Sequence, residues 1–287
     1  KDLLVEAVSN VARAACAKSP VPALEGILLK AQDGQLQLTG YDLELGIVTT
    51  IEAKTEQPGQ LILSARLLLD IIRRIPAQTV SILSDERDLA TIRGGASEFT
   101  IPGLNAEEYP ELPNFEQQSD LVLKQGVLKS MIDQTLFAIA TTDSKPVHTG
   151  SLFDVKDSCV TLVSVDGYRL ALRREPIVSD LTTRFIVPGK TLAEISKLLK
   201  EEDEEAYLAL SQKHIVFRIG GYYVVSRLLE GEFLDYNAAI PKVSKTTVKI
   251  NTRSLTDAVE RTSLLISDRR RSPIRLSAMD QKVQLNC

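Results

Sequence analysis

Two carboxylates stand in related phrases of this chain. Asp42 lies in "LTGYDLELGI" (Leu38–Ile47) and Asp166 in "LVSVDGYRLAL" (Leu162–Leu172). A pair of aspartates could share a divalent cation, as metal-dependent nucleases require. Each could instead close a turn through its own backbone N–H groups. Their separation is 166 − 42 = 124 residues. If that spacing is a repeat period, the two carboxylates sit in equivalent places of separate modules and do not face one ion. The other reactive side chains are few. His148 and His214 are the only histidines, and neither belongs to an HExxH pattern. Cys16, Cys159 and Cys287 are far apart, with no CxxC pair, so neither a disulfide framework nor a thiolate zinc site is expected. No GxSxG elbow, P-loop or GxGxxG is present, and Gly94-Gly95 and Gly220-Gly221 precede strands or polar turns. The residues point away from an enzyme: no catalytic group, metal or cofactor is expected.

Other landmarks recur in the same register. "ILSARLLLDIIRRI" from Ile62 aligns with "IVPGKTLAEISKLL" from Ile186, and 186 − 62 = 124. Tyr109 of "EEYPEL" aligns with Phe233 of "GEFLDY", and 233 − 109 = 124. The opening pattern Leu4, Ala7, Val8, Ala15 meets Leu128, Met131, Ile132, Ile139 at the same offset. Several landmarks in one register indicate copies of one module. A third copy begins at "SLTDAVERTSLLIS" (from Ser254), and "KVQLNC" matches "CVTLVS". The spacing of the first copies leads one to expect roughly 85 further residues in a full third repeat. The chain, which opens on Lys1, thus reads as trimmed at its start and truncated in its third repeat.

The elements that position these residues follow from periodicity. Each copy opens with an amphipathic helix, apolar at three- and four-residue steps. Alternating strands follow: "GILLKAQ", a turn at Asp33-Gly34, "QLQLTG" and "LELGIVTTIEA". A second helix spans Ala65–Ile75 and is stopped by Pro76, and three short strands finish the module. The fold class is α+β: tandem modules of two helices and about eight strands, the third incomplete. The expected domains are 1–115, 120–243 and 247–287. Their linkers fall near "PNFEQQSD" (Pro113–Asp120) and "IPKVSKTT" (Ile240–Thr247). No apolar run approaches the ~18 residues of a membrane span. Net charge is −4, unlike most nucleic-acid-binding domains. Local placement of charge still decides a contact, whatever the total.

At this level of detail the sequence resembles the bacterial sliding clamp, the beta subunit of DNA polymerase III. The matching phrases are "GILLKAQDGQLQLTGYDLELGI", "SARLLLDIIRRIP", "TDSKPVHTGSLF", "SVDGYRLAL", "FIVPGKTLAEISKLL" and "SRLLEGEFLDYNAAIP". The resemblance implies a DNA clamp fold whose three-domain protomers pair head to tail as a homodimer. The resulting ring, lined by helices, encloses duplex DNA without reading its sequence. It implies a cytoplasmic, nucleoid-associated bacterial replication protein that tethers DNA polymerase III. Further implied partners are clamp-loader subunits and other replication and repair proteins carrying clamp-binding peptides. A non-enzymatic protein-binding repeat scaffold without DNA is the alternative.

The same resemblance assigns residues. Lys18, Lys145, Lys190, Lys197 and Arg275 match DNA-facing positions, though a lysine on a helix is also an ordinary solvated face. "EEDEE" (Glu201–Glu205) is expected in an outer loop. A pocket for client peptides is matched by His148, Val165, Gly167, Tyr168, Arg169, Leu170, Leu234, Ala238, Ala239 and Arg271. Val165, Leu170 and Leu234 would form its apolar dish, and Gly167 would permit close backbone approach. Ala238 stands where many members carry Arg, Leu234 where Pro is usual, and Arg271 where an aromatic can occur. Without the resemblance, "VDGYRL" would read as a turn followed by a core strand. The dimer interface is matched by Arg73, Arg74 and Ile101 on one side and Leu265 and Ile266 on the other; the latter pair could equally be helix core. With a shortened third repeat, dimerisation is expected to be impaired.

Overall fold

The computed structural model describes residues 1–115, 119–142, 145–200, 203–264, 266, 273–279 and 282–287. They form two compact units, Lys1–Leu234 and Asp235–Cys287.

The first unit contains two copies of one module. The first copy runs α1 (Asp2–Val11), β1 (Gly26–Gln32), β2 (Gln35–Tyr41), β3 (Leu45–Glu52), β4 (Gly59–Ser64), α2 (Ala65–Arg74), β5 (Ser81–Ser84), β6 (Leu89–Gly94) and β7 (Ser97–Pro102). The second runs β8 (Ser119–Lys124), α3 (Gln125–Asp133), β9 (Gly150–Lys156), β10 (Cys159–Val165), β11 (Leu170–Pro176), β12 (Thr183–Pro188), α4 (Gly189–Leu198), β13 (Glu205–Leu210), β14 (His214–Ile219) and β15 (Tyr222–Arg227). β9 begins 150 − 26 = 124 residues after β1, and α4 begins 189 − 65 = 124 after α2. The segments around Leu4 and Leu128 therefore share one fold.

Local chemistry sets the boundaries. α2 starts where the Ser64 hydroxyl accepts from the Leu67 N–H at 3.5 Å. It buries Leu68, Ile71 and Ile72 on one face and ends at Ile75, which is extended before Pro76. The β1–β2 hairpin turns through Asp33 and Gly34, both at positive φ. The opening helices are shorter than periodicity suggests. α1 ends at Val11 and α3 at Asp133, each followed by a 3-10 turn, so Ala15 and Ile139 lie beyond them. In the second copy the Thr135 hydroxyl donates to the Met131 carbonyl at 2.7 Å, which helps end the helix.

The two copies are joined by backbone pairing. β3 runs antiparallel to β15, with Leu45 opposite Ser226, Ile47 opposite Val224 and Thr49 opposite Tyr222. This fuses half of each copy into one eight-stranded sheet, ordered β4-β1-β2-β3-β15-β14-β13-β8. The remaining strands form β11-β10-β9-β12 and β5-β6-β7. One face of the long sheet carries the register row Leu121, Leu208, Phe217, Val224, Ile47 and Gly40. The apolar members of that row belong to a single core with Val8 of α1, Leu68 of α2, Leu128 of α3 and Ile195 of α4. The opposite face is covered by the connecting segment: Tyr109 packs on Tyr41 and Ile62, Phe115 packs against Ala209, Val216 and Val225, and Leu112 touches both groups. The Tyr109 hydroxyl donates to the Thr39 carbonyl at 3.1 Å, and burial raises its pKa far above that of a free phenol.

The second unit contains α5 (Tyr236–Ala239), α6 (Thr252–Ser263), β16 (Arg275–Met279) and β17 (Lys282–Asn286), the last two paired as a hairpin. The Asn251 side chain caps α6 by accepting from the Ser254 N–H at 3.1 Å.

Gly40 fixes how closely α1 approaches the sheet. A Cβ there would press into the Val11 carbonyl oxygen and side chain. Gly40→Ala is expected to destabilise the protein by about 1–3 kcal/mol through overpacking, measured as a lowered urea midpoint at unchanged m-value.

Candidate nucleic-acid and peptide interfaces

Asp42 and Asp166 build the same local structure. Asp42 Oδ1 accepts from the N–H groups of Glu44 (3.0 Å) and Leu45 (2.7 Å). Asp166 Oδ1 accepts from those of Tyr168 (3.0 Å) and Arg169 (3.1 Å). Asp42 closes the turn between β2 and β3, and Asp166 the one between β10 and β11. Among the described residues no three His, Cys, Asp or Glu side chains cluster to hold a metal ion.

The residue after each aspartate takes positive φ: +75° at Leu43 and +91° at Gly167. At Gly167 an added Cβ would meet nothing within 4 Å. Close approach within the chain is therefore not why glycine is needed there. The backbone angle is the reason. Leu43 meets the same requirement with a side chain, at a cost of roughly 1–2 kcal/mol.

The outer oxygens of the aspartates differ in partner. Asp166 Oδ2 pairs with Arg169 Nε at 2.8 Å, and the Arg169 guanidinium lies 5.5 Å from the Phe137 ring centroid. The Tyr168 N–H foremost, helped by the N–H and guanidinium of Arg169, holds the Asp166 carboxyl below its ordinary pKa. Asp42 Oδ2 instead reaches into the other copy and binds Lys190 Nζ in the first turn of α4. Burial alone would lower the Lys190 pKa, but hydrogen bonding and charge from Asp42, with Glu44 further off, raise it overall.

Of the matched peptide positions of the first unit, Val165, Gly167, Tyr168, Arg169 and Leu170 lie on this second turn and its flanking strand ends, and His148 lies just before β9. His148 is buried and meets Phe233 edge-on at 5.4 Å between centroids. Burial, followed by the charge of Lys145, lowers its pKa. Val165 is buried at the end of β10, Leu170 is half-buried at the start of β11, and Leu234 is exposed. Tyr168, 95% exposed, and Phe137, 59% exposed, present aromatic surface to solvent. Phe137 was not anticipated from sequence; only its place one turn beyond α3 could have suggested it. In the second unit Ala238 and Ala239 are exposed on α5. Arg271 lies outside the described residues.

The matched cations are all on the surface. Lys18 and Lys145 are exposed in loops, Lys197 is exposed in the last turn of α4, and Arg275 is exposed on β16. Lys197 pairs with Glu194 at 2.8 Å. The helices of the first unit are only weakly basic: Arg66, Arg73, Arg74, Lys129, Lys190 and Lys197 stand against Asp2, Glu6, Asp70, Asp133 and Glu194. In the acidic run after α4, Asp203 pairs with Lys124 at 2.9 Å and Glu205 already belongs to β13. Glu201 and Glu202 lie outside the described residues.

At the matched dimer positions, Ile101 is buried on β7. Arg73 donates to Ser9 Oγ at 2.7 Å within its own copy, and Arg74 lies 3.7 Å from Asp70. Ile266 is half-buried, and its N–H donates to the Ser263 carbonyl. Leu265 lies outside the described residues.

The sequence model of the DNA polymerase III beta subunit N-terminal domain matches residues 1–113, and that of its central domain matches residues 122–235. The beta sliding clamp of Bacillus subtilis is 34% identical over 288 residues, spanning 97% of this chain and 76% of that protein. The crystal structure of the Bacillus subtilis DNA polymerase sliding clamp superposes with a TM-score of 0.94 at 33% identity, over 99% of this chain and 78% of that one. A putative DNA polymerase III beta subunit from Eubacterium rectale gives 0.93 at 33% identity, over 98% and 77%. The chain belongs to the bacterial sliding clamp family. It is a DNA sliding clamp, a processivity factor and not an enzyme. The scaffold alternative is not favoured. The two matched domain models coincide with the two copies joined through β3 and β15.

The paired turns of the clamp give a test of their backbone demands. Gly167→Ala is expected to cost about 1 kcal/mol, because alanine tolerates that φ poorly. Leu43→Gly is expected to stabilise by up to about 1 kcal/mol, strain relief exceeding the added chain entropy. Thermal or urea unfolding of both variants reads the opposite signs.

Proposed function

We propose that this clamp encircles duplex DNA as a head-to-tail ring and holds it through exposed cations that contact phosphate alone. Phosphate contacts carry no sequence information, so exchanging them along the duplex changes little energy and permits sliding. Lys18, Lys145, Lys197 and Arg275 are the proposed contacts. The domains are proposed as residues 1–115, 120–243 and 247–287, and the clamp is proposed to act in the bacterial cytoplasm on the nucleoid. The turn at Asp166, with Val165, Leu170 and Leu234 beside His148, is proposed as the first-unit part of a dish for apolar anchors of polymerase and other client peptides. Gly167, Tyr168 and Arg169 are proposed as its rim.

One observation carries the ring. Within the chain, β3 of one copy pairs with β15 of the next. The equivalent of β15 in the first copy is β7, and the equivalent of β3 in the second copy is β11. Among the described residues each pairs on one side only. An edge that repeats an interface already used inside the chain favours head-to-tail closure by the same pairing. The proposed seam uses β7 with Ile101 and the nearby Arg73 and Arg74, and takes Leu265 and Ile266 from the partner's third repeat.

The test is retention on closed circular plasmid against the same plasmid linearised, across a salt series. A ring stays on the circle and runs off the ends of the linear form. Neutralising Lys18, Lys145 and Lys197 together should flatten the logarithmic salt dependence of binding by roughly 2–3, at about 0.9 per phosphate contact. Equal retention on both forms, with a salt dependence the triple variant leaves unchanged, would refute the reading.

A further inference from the structure

Lys190 matches a DNA-facing position, yet its ammonium is engaged by a carboxylate of the other copy. We propose that Lys190 is a lock between the two copies, held by Asp42, and not a phosphate contact of the clamp. The proposal deepens the DNA-binding reading by removing one cation from its contact set.

Three observations carry it. Lys190 Nζ binds Asp42 Oδ2, while Asp42 Oδ1 is occupied by the Glu44 and Leu45 N–H groups. The carboxylate is thus fixed by the turn before the lysine arrives. Its side chain is only 7% exposed, so a lysine leaving for phosphate would strand a desolvated anion. The equivalent carboxylate, Asp166, is satisfied by the local Arg169, so the reach across copies is specific to the Asp42 turn.

The second observation is the company Lys190 keeps. One turn further along α4, Glu194 faces Arg13 of the first copy, Nε to Oε2 at 3.8 Å. Asn10 of α1 donates to the Tyr222 hydroxyl of β15 at 2.7 Å. The Thr191 and Ser226 hydroxyls are 2.7 Å apart, anchoring the start of α4 to β15 beside the seam. The charges of α4 are therefore organised toward the neighbouring copy as well as toward solvent.

The third observation is strain. Asp42 holds Leu43 at φ +75°. A turn that holds a strained leucine needs its carboxylate kept in place, and Lys190 supplies that restraint from the other copy.

Two readouts on the full chain decide the matter: melting temperature, and the salt dependence of duplex DNA binding. Lys190→Met should lower Tm by about 2–4 °C and leave the salt slope unchanged. Asp42→Asn keeps the Oδ1 acceptor of the turn but removes the charge. It should lower Tm similarly and steepen the salt slope by up to ~0.9, because Lys190 is then released to phosphate. The double variant should melt no lower than either single one and regain the slope of the wild type. A structural role alone would not move the slope in Asp42→Asn. If Lys190→Met flattens the slope by ~0.9 and leaves Tm untouched, Lys190 is a DNA contact and the lock is wrong. Wild-type binding without salt dependence would overturn the DNA reading instead; the lock would then stand on Tm coupling between the two positions and fall with additive shifts.

Discussion

Between β3 and β15, backbone N–H and C=O groups of two repeats satisfy each other. Without that ladder each copy would end in an unpaired strand edge, with polar groups that only water or another chain could match. With it, half of each copy becomes part of one sheet, and one apolar core runs beneath both helix pairs. The connecting segment then does more than link. Leu112 bridges the two outer apolar clusters, so the seam is covered on the face opposite the helices. A clamp must hold its curvature while sliding, and a continuous sheet backed by a continuous core resists hinge motion better than two domains on a flexible tether.

The repeat also shows how one local device serves different ends. Asp42 and Asp166 make the same turn, but the spare oxygen of Asp166 takes a neighbour three residues away and that of Asp42 takes a lysine from another copy. The turn of the second copy, relaxed by Gly167, carries an exposed tyrosine beside apolar positions. The turn of the first copy, strained at Leu43, is absorbed into the seam. Duplicated modules diverge most cheaply at such exposed turns, where a changed side chain disturbs no core.

Much of this was legible in the sequence. The 124-residue register located β1, β2, β4 and α2 and their counterparts, because hydrophobic periodicity and turn residues are local signals. β1 in particular spans the whole of "GILLKAQ". Strand order was not legible, since nothing in "LGIVTTIE" says that its second partner is "YYVVSR" far along the chain. Charge pairing was no more legible: Lys190 and Asp42, far apart in the chain, meet only in the fold. The positive φ of Gly167 was likewise not legible, because it follows from the turn that Asp166 closes. The early ends of α1 and α3 were also missed, because apolar spacing continues through the 3-10 turns that follow.

Native-state hydrogen exchange, resolved to single amides, tests the fused sheet most directly. If β3 and β15 unite the repeats into one cooperative unit, amides of Ile47 and Val224 should exchange only through global unfolding, with equal free energies and the same denaturant dependence. Exchange of the Val224 strand at a clearly lower free energy than the core of the first copy, with its own smaller denaturant dependence, would show two independently opening domains and contradict the account.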